Sequence, residues 1–267
     1  MDGLTQLENR SIYIIREAYQ KFDRPALLWS VGKDSTALLW LCYKAFLGRI
    51  PFPVIHIDTS YKFPEMYAFR DEYAKRWNLD LIVARNEKAL AEGMSHDKGS
   101  KLDCCHALKT TALQQVIDKL KLDALFLGIR RDEHGIRAKE RYFSPRDQQF
   151  QWNFGDQPAE LWDQYKAQNQ EDNHIRVHPL LHMTELDIWE YTQREEIPIS
   201  PLYLSNEGKR YRSIGCHTCC ESVNSTAATI PEIVQEIRTT TTSERAGRAQ
   251  DKEDEMTMQK LRALGYM

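Results

Sequence analysis

At 267 residues the chain exceeds the usual single-domain size, yet one large α/β domain with an appendage reaches that length and can bury a sizeable core. A formal net charge of −3 gives no sign of a broad nucleic-acid or membrane footprint, although it leaves room for a local basic patch. No run approaches the ~18 apolar residues of a membrane span, and the opening "MDGLTQLENR" lacks a leader's basic-then-apolar shape, so a cytoplasmic chain with no membrane partner is expected.

Taken in order, "TQLENRSIYIIREAYQKF" carries apolar residues at helical spacing with Thr5 as the expected N-cap, and Pro25 marks its exit. "ALLWSV" reads as a short buried strand, "DSTALLWLCYKAF" as a helix, and "VIHIDT" as the next strand after Pro51 and Pro53. "FPEMYAFRDEYAKRWN" is an amphipathic helix and "LDLIVAR" a strand. A further unit pairs the helix "CCHALKTTALQQVIDKL" with the strand "DALFLGI". This alternation predicts a doubly wound, mostly parallel sheet with helices on both faces. From about residue 140 the chain turns polar and aromatic, and "SPRDQQFQWNFGDQPAELWDQYKAQNQEDNH" is expected to be a long, partly ordered loop. "RVHPLL" and "TELDIWEYTQREEI", the latter capped by Thr184, restore strand and helix. The charged tail from "TTTTSERAGR" onward either folds onto the active site or stays mobile. The expected division is an α/β domain over 1–203 and a C-terminal cysteine-containing segment with its tail over 204–267.

The loop Ser30–Ser35 follows the first strand, the place where open parallel sheets bind ligands. Gly32 allows close backbone approach, the Ser30 and Ser35 hydroxyls can donate to phosphate oxygens, Lys33 adds positive charge, and the helix beginning near Asp34 points free amides at the same spot. This is an anion cradle. Neither the Walker spacing nor the dinucleotide fingerprint is present.

S-x-G-x-D-S after a strand resembles the pyrophosphate-binding loop of the N-type ATP pyrophosphatases. Together with "PFPVIHIDTSYKFPEMYAFRDEYAK", "GIRRDEHGIRAKERYFSPRDQQFQW", "ELWDQY", "IRVHPLLHMTELDIWEY", "IPISPLYL" and "TTSERAGR", it makes nearly the whole chain similar to the sulfate adenylyltransferase small subunits, part of the wider phosphoadenylylsulfate reductase family. The resemblance implies an adenine nucleotide alpha hydrolase-like fold and cleavage of ATP, with Mg²⁺, between its α and β phosphates. It implies that Ser30, Gly32, Lys33, Asp34 and Ser35 hold the outer phosphates and that Asp58 lies near the nucleotide. Lys33, Asp34, Arg130, Arg131 and Glu133 are then the expected catalytic set, with Arg130, Arg131 and Glu133 facing the α phosphate or the acceptor. Arg137, Lys139, Glu140 and Arg141 extend that cluster, unless they form a solvated face, and Ser243, Arg245 and Arg248 close over it. Asp34 also suits a helix cap, and His56 reads as a core histidine rather than a base.

Cys104–Cys105 and the Cys216/Cys219 pair in "GCHTCCES" look like the ligand set of a [4Fe–4S] cluster in iron–sulfur sulfonucleotide reductases. Zinc and reduced buried thiols remain open on the same residues. The reductases' own chemistry uses a cysteine in a C-terminal segment, and no cysteine follows Cys220 here. Cys42 reads as packing and Cys220 is left over. Sulfate is the expected acceptor, with a GTPase large subunit as partner. The alternative is sulfur insertion into DNA with a cysteine desulfurase and DNA-modifying components, and a third reading is a non-catalytic nucleotide-binding adaptor. A homo-oligomer stays open.

Overall fold

The computed structural model describes residues 2–98, 100–155, 157, 159–165 and 172–245. The opening helix α1 (Gly3–Lys21) is capped by Asp2, whose carboxylate accepts the Thr5 N–H at 2.7 Å, so Thr5 lies inside the helix rather than at its cap. Its apolar stripe buries Ile14, Ile15 and Ala18.

The central sheet has the strand order β3-β2-β1-β4-β6-β5. Strands β1 (Pro25–Leu28), β2 (Val54–Ile57), β3 (Leu81–Ala84), β4 (Ala124–Phe126) and β6 (Asp172–Val177) pair in parallel. β1, β2 and β4 are buried along their whole length, as a parallel strand covered by helices on both faces must be. The helices are α2 (Lys33–Ala45), α3 (Pro64–Arg76), α4 (Glu87–Ala91), α5 (Lys101–Cys105), α6 (Thr111–Leu120), α7 (Glu185–Arg194) and α8 (Ile230–Thr239). Helices α1, α2, α7 and α8 pack on one another. Chain order reverses direction across the sheet between β1 and β4, which opens a crevice beyond their carboxyl ends. Among the described residues, no helix is long and apolar enough to cross a membrane.

Two expectations change. The stretch expected to be a loop begins with a strand, β5 (Phe143–Asp147), which runs antiparallel to β6. Ladder hydrogen bonds to β6 satisfy a backbone whose polar sequence hides the strand, and the buried Ser144 and Arg146 side chains hydrogen-bond each other at 2.9 Å. The helix expected over 104–120 is also interrupted, by one π turn at His106–Thr110 between α5 and α6. The wider turn rotates the next side chains about the helix axis and marks a local departure from regular packing. Thr184 caps α7 as expected, in a reciprocal arrangement with Asp187.

Candidate functional site

β1 runs straight into the cradle. Val31 sits at φ +65°, a left-handed conformation costly for a β-branched residue, and its side chain is buried. This bend turns the chain so that Gly32, in an extended conformation, becomes the N-cap of α2 without any side-chain cap of its own. The Lys33 N–H donates to the Tyr203 hydroxyl at 2.9 Å. Ser30 and Ser35 hydroxyls meet at 3.0 Å, and Ser35 Oγ also donates to the Gly32 carbonyl at 3.1 Å. Beside them Gly128, just after β4, lies against the Asp34–Ser35 backbone so closely that no side chain fits between.

These groups line a cavity of about 150 Å³ at the strand ends. Its apolar lining comes from Leu28, Ile55, Ile57, Leu127 and Ile129; its charged lining is Lys33, Lys62, Lys109, Arg137 and Arg245, five cations against Asp34 and Glu133. Arg130 is fully buried behind it, bonded to Asp34 and Glu244 and, at 2.9 Å, to Asp132. Burial opposes the charge on its guanidinium, but those acids hold it firmly protonated. Burial likewise opposes ionisation of Glu133, yet Arg137, Arg245 and Arg130 around it hold its carboxyl far below the usual range.

Lys33, Asp34 and Glu133 therefore converge with Ser30, Gly32 and Ser35 on one cavity, with Arg130 bonded to Asp34 behind them. Arg131 does not. Its guanidinium lies over the Tyr142 ring, 5.2 Å from the centroid, because adjacent residues at a strand exit point to opposite sides. Asp58 follows directly on β2. It does not line the cavity; its buried carboxylate accepts from Ser60 N–H, Tyr67 hydroxyl and Arg85 Nε, each at 2.8 Å, and so fixes the loop after β2. Burial would raise its pKa, but these donors pull it below the ordinary value.

Of the cluster beyond Glu133, Arg137 enters the cavity, whereas Lys139 and Arg141 are exposed. Glu140 is fully buried and paired with Arg146 at 3.0 Å, away from the cradle. In the tail, Arg245 binds Glu133 at 2.9 Å, Ser243 is exposed, and Arg248 lies outside the described residues. His56 is a core histidine: its Nδ1 faces the Trp29 carbonyl at 2.9 Å, and burial lowers its pKa to about 4. Cys42 is fully buried packing.

The cysteines do meet. Cys104 and Cys105 from α5, with Cys216 and Cys219 from the loop after β7 (Lys209–Arg210), line a single small cavity. Cys216 Sγ is 3.2 Å from the Thr59 hydroxyl. Burial pushes the Cys104 thiol up to about 11 and raises Cys219, while Lys109 pulls both down. Among the described residues no three His, Cys, Asp or Glu side chains are arranged as a preformed metal-binding group. Lys109 lines this cavity and the cradle alike, carried into both by the π turn.

Lys62, Lys109, Tyr203 and Glu244 escape sequence reasoning. Glu244 lies within "TTSERAGR", but an acid in an anion site carries the wrong sign to be chosen; Tyr203 and the lysines have no local spacing that points to the cradle.

The phosphoadenosine phosphosulfate reductase domain model matches residues 24–222. Sulfate adenylyltransferase subunit 2 of Psychromonas ingrahamii is 41% identical, covering 98% of this chain and 97% of that protein, and the protein of the same name from Azotobacter vinelandii is equally similar over the same shares. Among solved structures, phosphoadenylyl-sulfate reductase from Candida auris superimposes with a TM-score of 0.56 at 16% identity, over 84% of this chain and 98% of that one. The ATP complex of FMN adenylyltransferase from Candida glabrata gives 0.56 at 19% identity, over 98% and 83%. These two share the fold: a mostly parallel sheet covered by helices. The chain belongs to the phosphoadenosine phosphosulfate reductase domain family and stands with its sulfate adenylyltransferase subunit 2 members.

Proposed function

We propose that the protein is the small, ATP-cleaving subunit of a sulfate adenylyltransferase. It binds ATP with its outer phosphates on the loop Ser30–Ser35 and its base against the apolar wall of the cavity. A sulfate oxygen attacks the α phosphorus, the bond from that phosphorus to the α–β bridging oxygen breaks, and the electron pair leaves with pyrophosphate. Negative charge gathers on the non-bridging oxygens and on the departing group, so fixed cations aimed at those positions lower the barrier. Lys33 and the amides of α2 face the outer phosphates, and Arg130 and Arg137 stand nearest the breaking bond. Asp34 and Glu133 hold those cations in place, and Asp34 is the carboxylate that would hold the Mg²⁺ accompanying ATP, which would supply charge neutralisation to the phosphates. The observation that carries this reading is the convergence of the cradle residues on one cavity at the strand ends, backed by Arg130 through Asp34, in a chain 41% identical over 98% of its length to proteins of that name. A GTPase large subunit is the expected partner. Purified protein should release pyrophosphate from ATP in a sulfate-dependent manner when that partner is added; no release with any acceptor refutes an enzymatic role.

The cysteine cavity supports a separate, resident centre. Four thiols from two distant parts of the chain line one space, which matches the donor number and type of a [4Fe–4S] cluster, with zinc as the alternative on the same sulfurs. Anaerobically prepared protein should be brown with broad visible absorbance, lost in the variant Cys104→Ala/Cys216→Ala. A colourless preparation containing zinc instead selects the alternative, and one free of both metals removes the centre altogether.

A further inference from the structure

After α8 the chain returns to the cradle along Thr240–Arg245. It is moored there by Arg212, whose Nη1 donates to the Thr242 carbonyl at 2.7 Å while its other nitrogens fork onto Glu185 at 3.2 and 2.7 Å. Two residues on, the Glu244 side chain drops into the site and is almost fully buried. One carboxylate oxygen bonds Lys33 Nζ and the other bonds Arg130 Nη2. A single two-oxygen anion bridging those two cations makes the contacts that phosphate oxygens would make there.

The surrounding charges sharpen the point. Lys33 and Arg130 face Asp34, Asp132 and Glu244, so two cations already meet three carboxylates. A lone tetrahedral oxyanion arriving at this pair could do no more than reproduce the contacts Glu244 already makes. A polyphosphate is longer than one tetrahedral group and reaches further groups along the cradle, including the Ser30 and Ser35 hydroxyls and Arg137.

We propose that Glu244 is a specificity-determining residue: its carboxylate is a built-in stand-in for phosphate on Lys33 and Arg130, displaced by polyphosphates but not by single oxyanions such as sulfate. This deepens the nucleotide reading above and rests on it. An enzyme that must admit sulfate as acceptor needs its phosphate cradle closed to sulfate, and the strap supplies that exclusion.

The test is titration calorimetry of the full chain with magnesium pyrophosphate, with and without sulfate, at ionic strength matched by chloride. In the wild type, sulfate should leave the pyrophosphate Kd unchanged. Glu244→Gln should bind pyrophosphate about 10-fold more tightly, because a competing occupied state is removed, and sulfate should now raise that Kd competitively. Pyrophosphate binding that is no tighter in Glu244→Gln, or sulfate competition already present in the wild type, overturns the proposal while leaving the nucleotide site standing. Absence of pyrophosphate and ATP binding in both proteins overturns the site and the proposal together. Should Glu244→Gln fail to fold, Glu244→Asp, shorter by one methylene and unable to span both cations, must show the same two changes in smaller degree; wild-type values in it count against the proposal.

Discussion

Replacing Gly128 by alanine should damage the cradle through the backbone alone. An added Cβ would stand 2.9 Å from the Asp34 carbonyl carbon, from its oxygen and from Ser35 Cα, where ordinary contact begins at 3.4 Å. None of these is a flexible side-chain end, so the first turn of α2 must retreat by roughly half an ångström, against a densely packed core. Overpacking of this kind costs about 1–3 kcal/mol, which in a chain of this size lowers Tm by roughly 2–10 °C. The same retreat carries the Asp34–Ser35 backbone and the Ser35 hydroxyl away from the ligand, and a misplacement near 1 Å can cost on the order of 100-fold in rate. Thermal unfolding read beside ATP-dependent pyrophosphate release measures both effects. Gly135→Ala is the control, since its Cβ would meet no atom within 4 Å. A Gly128→Ala protein with wild-type Tm and wild-type turnover would refute the claim that β4 and the cradle are fitted backbone to backbone.

Arg130→Ala should lower pyrophosphate release by roughly 100-fold or more, since it removes a fixed cation and leaves Asp34 and Glu244 with Lys33 as their shared cation. Arg131→Ala should stay within about twofold in rate and lose only the stacking on Tyr142, about 0.5–1 kcal/mol of stability; comparable loss in both variants would place the site wrongly. The pH dependence of folding should report His56. Its folded pKa of about 4 lies below the ordinary 6.5, so the unfolded chain binds more protons between those values. Stability is therefore whole above about pH 6.5 and declines as pH falls toward 4, by up to roughly 3 kcal/mol from this group. Denaturant unfolding across that range should show the slope in the wild type and a smaller one in His56→Gln; equal slopes would show that the ring titrates freely.

How much of this was legible in the sequence depended on whether a signal was local. Runs such as "ALLW" and "VIHI" revealed parallel strands because burial on both faces demands unbroken apolar stretches. Ser30–Ser35 was legible because a glycine turn between such a strand and a helix has few other uses. Arg130 and Arg131 were indistinguishable as letters; only the strand exit, with its alternation of sides, separates the guanidinium on Asp34 and Glu244 from the one on Tyr142. Asp58 ended its strand in the right place yet was claimed by Arg85, Tyr67 and Ser60, partners that no spacing rule links to it. β5 was hidden because its pairing energy comes from β6 rather than from its own residues. The convergence of Cys104 and Cys105 on Cys216 and Cys219 followed from treating them as one set, whereas the position of Lys109 depends on a π turn without a recognisable sequence signature.

The left-handed bend at Val31 has a bearing on recognition. A valine tolerates that backbone only because its side chain is anchored in the interior, so the core, and not an arriving ligand, dictates the shape of the loop. A ligand taken up there needs no refolding of the cradle itself, so affinity is not spent on ordering its backbone.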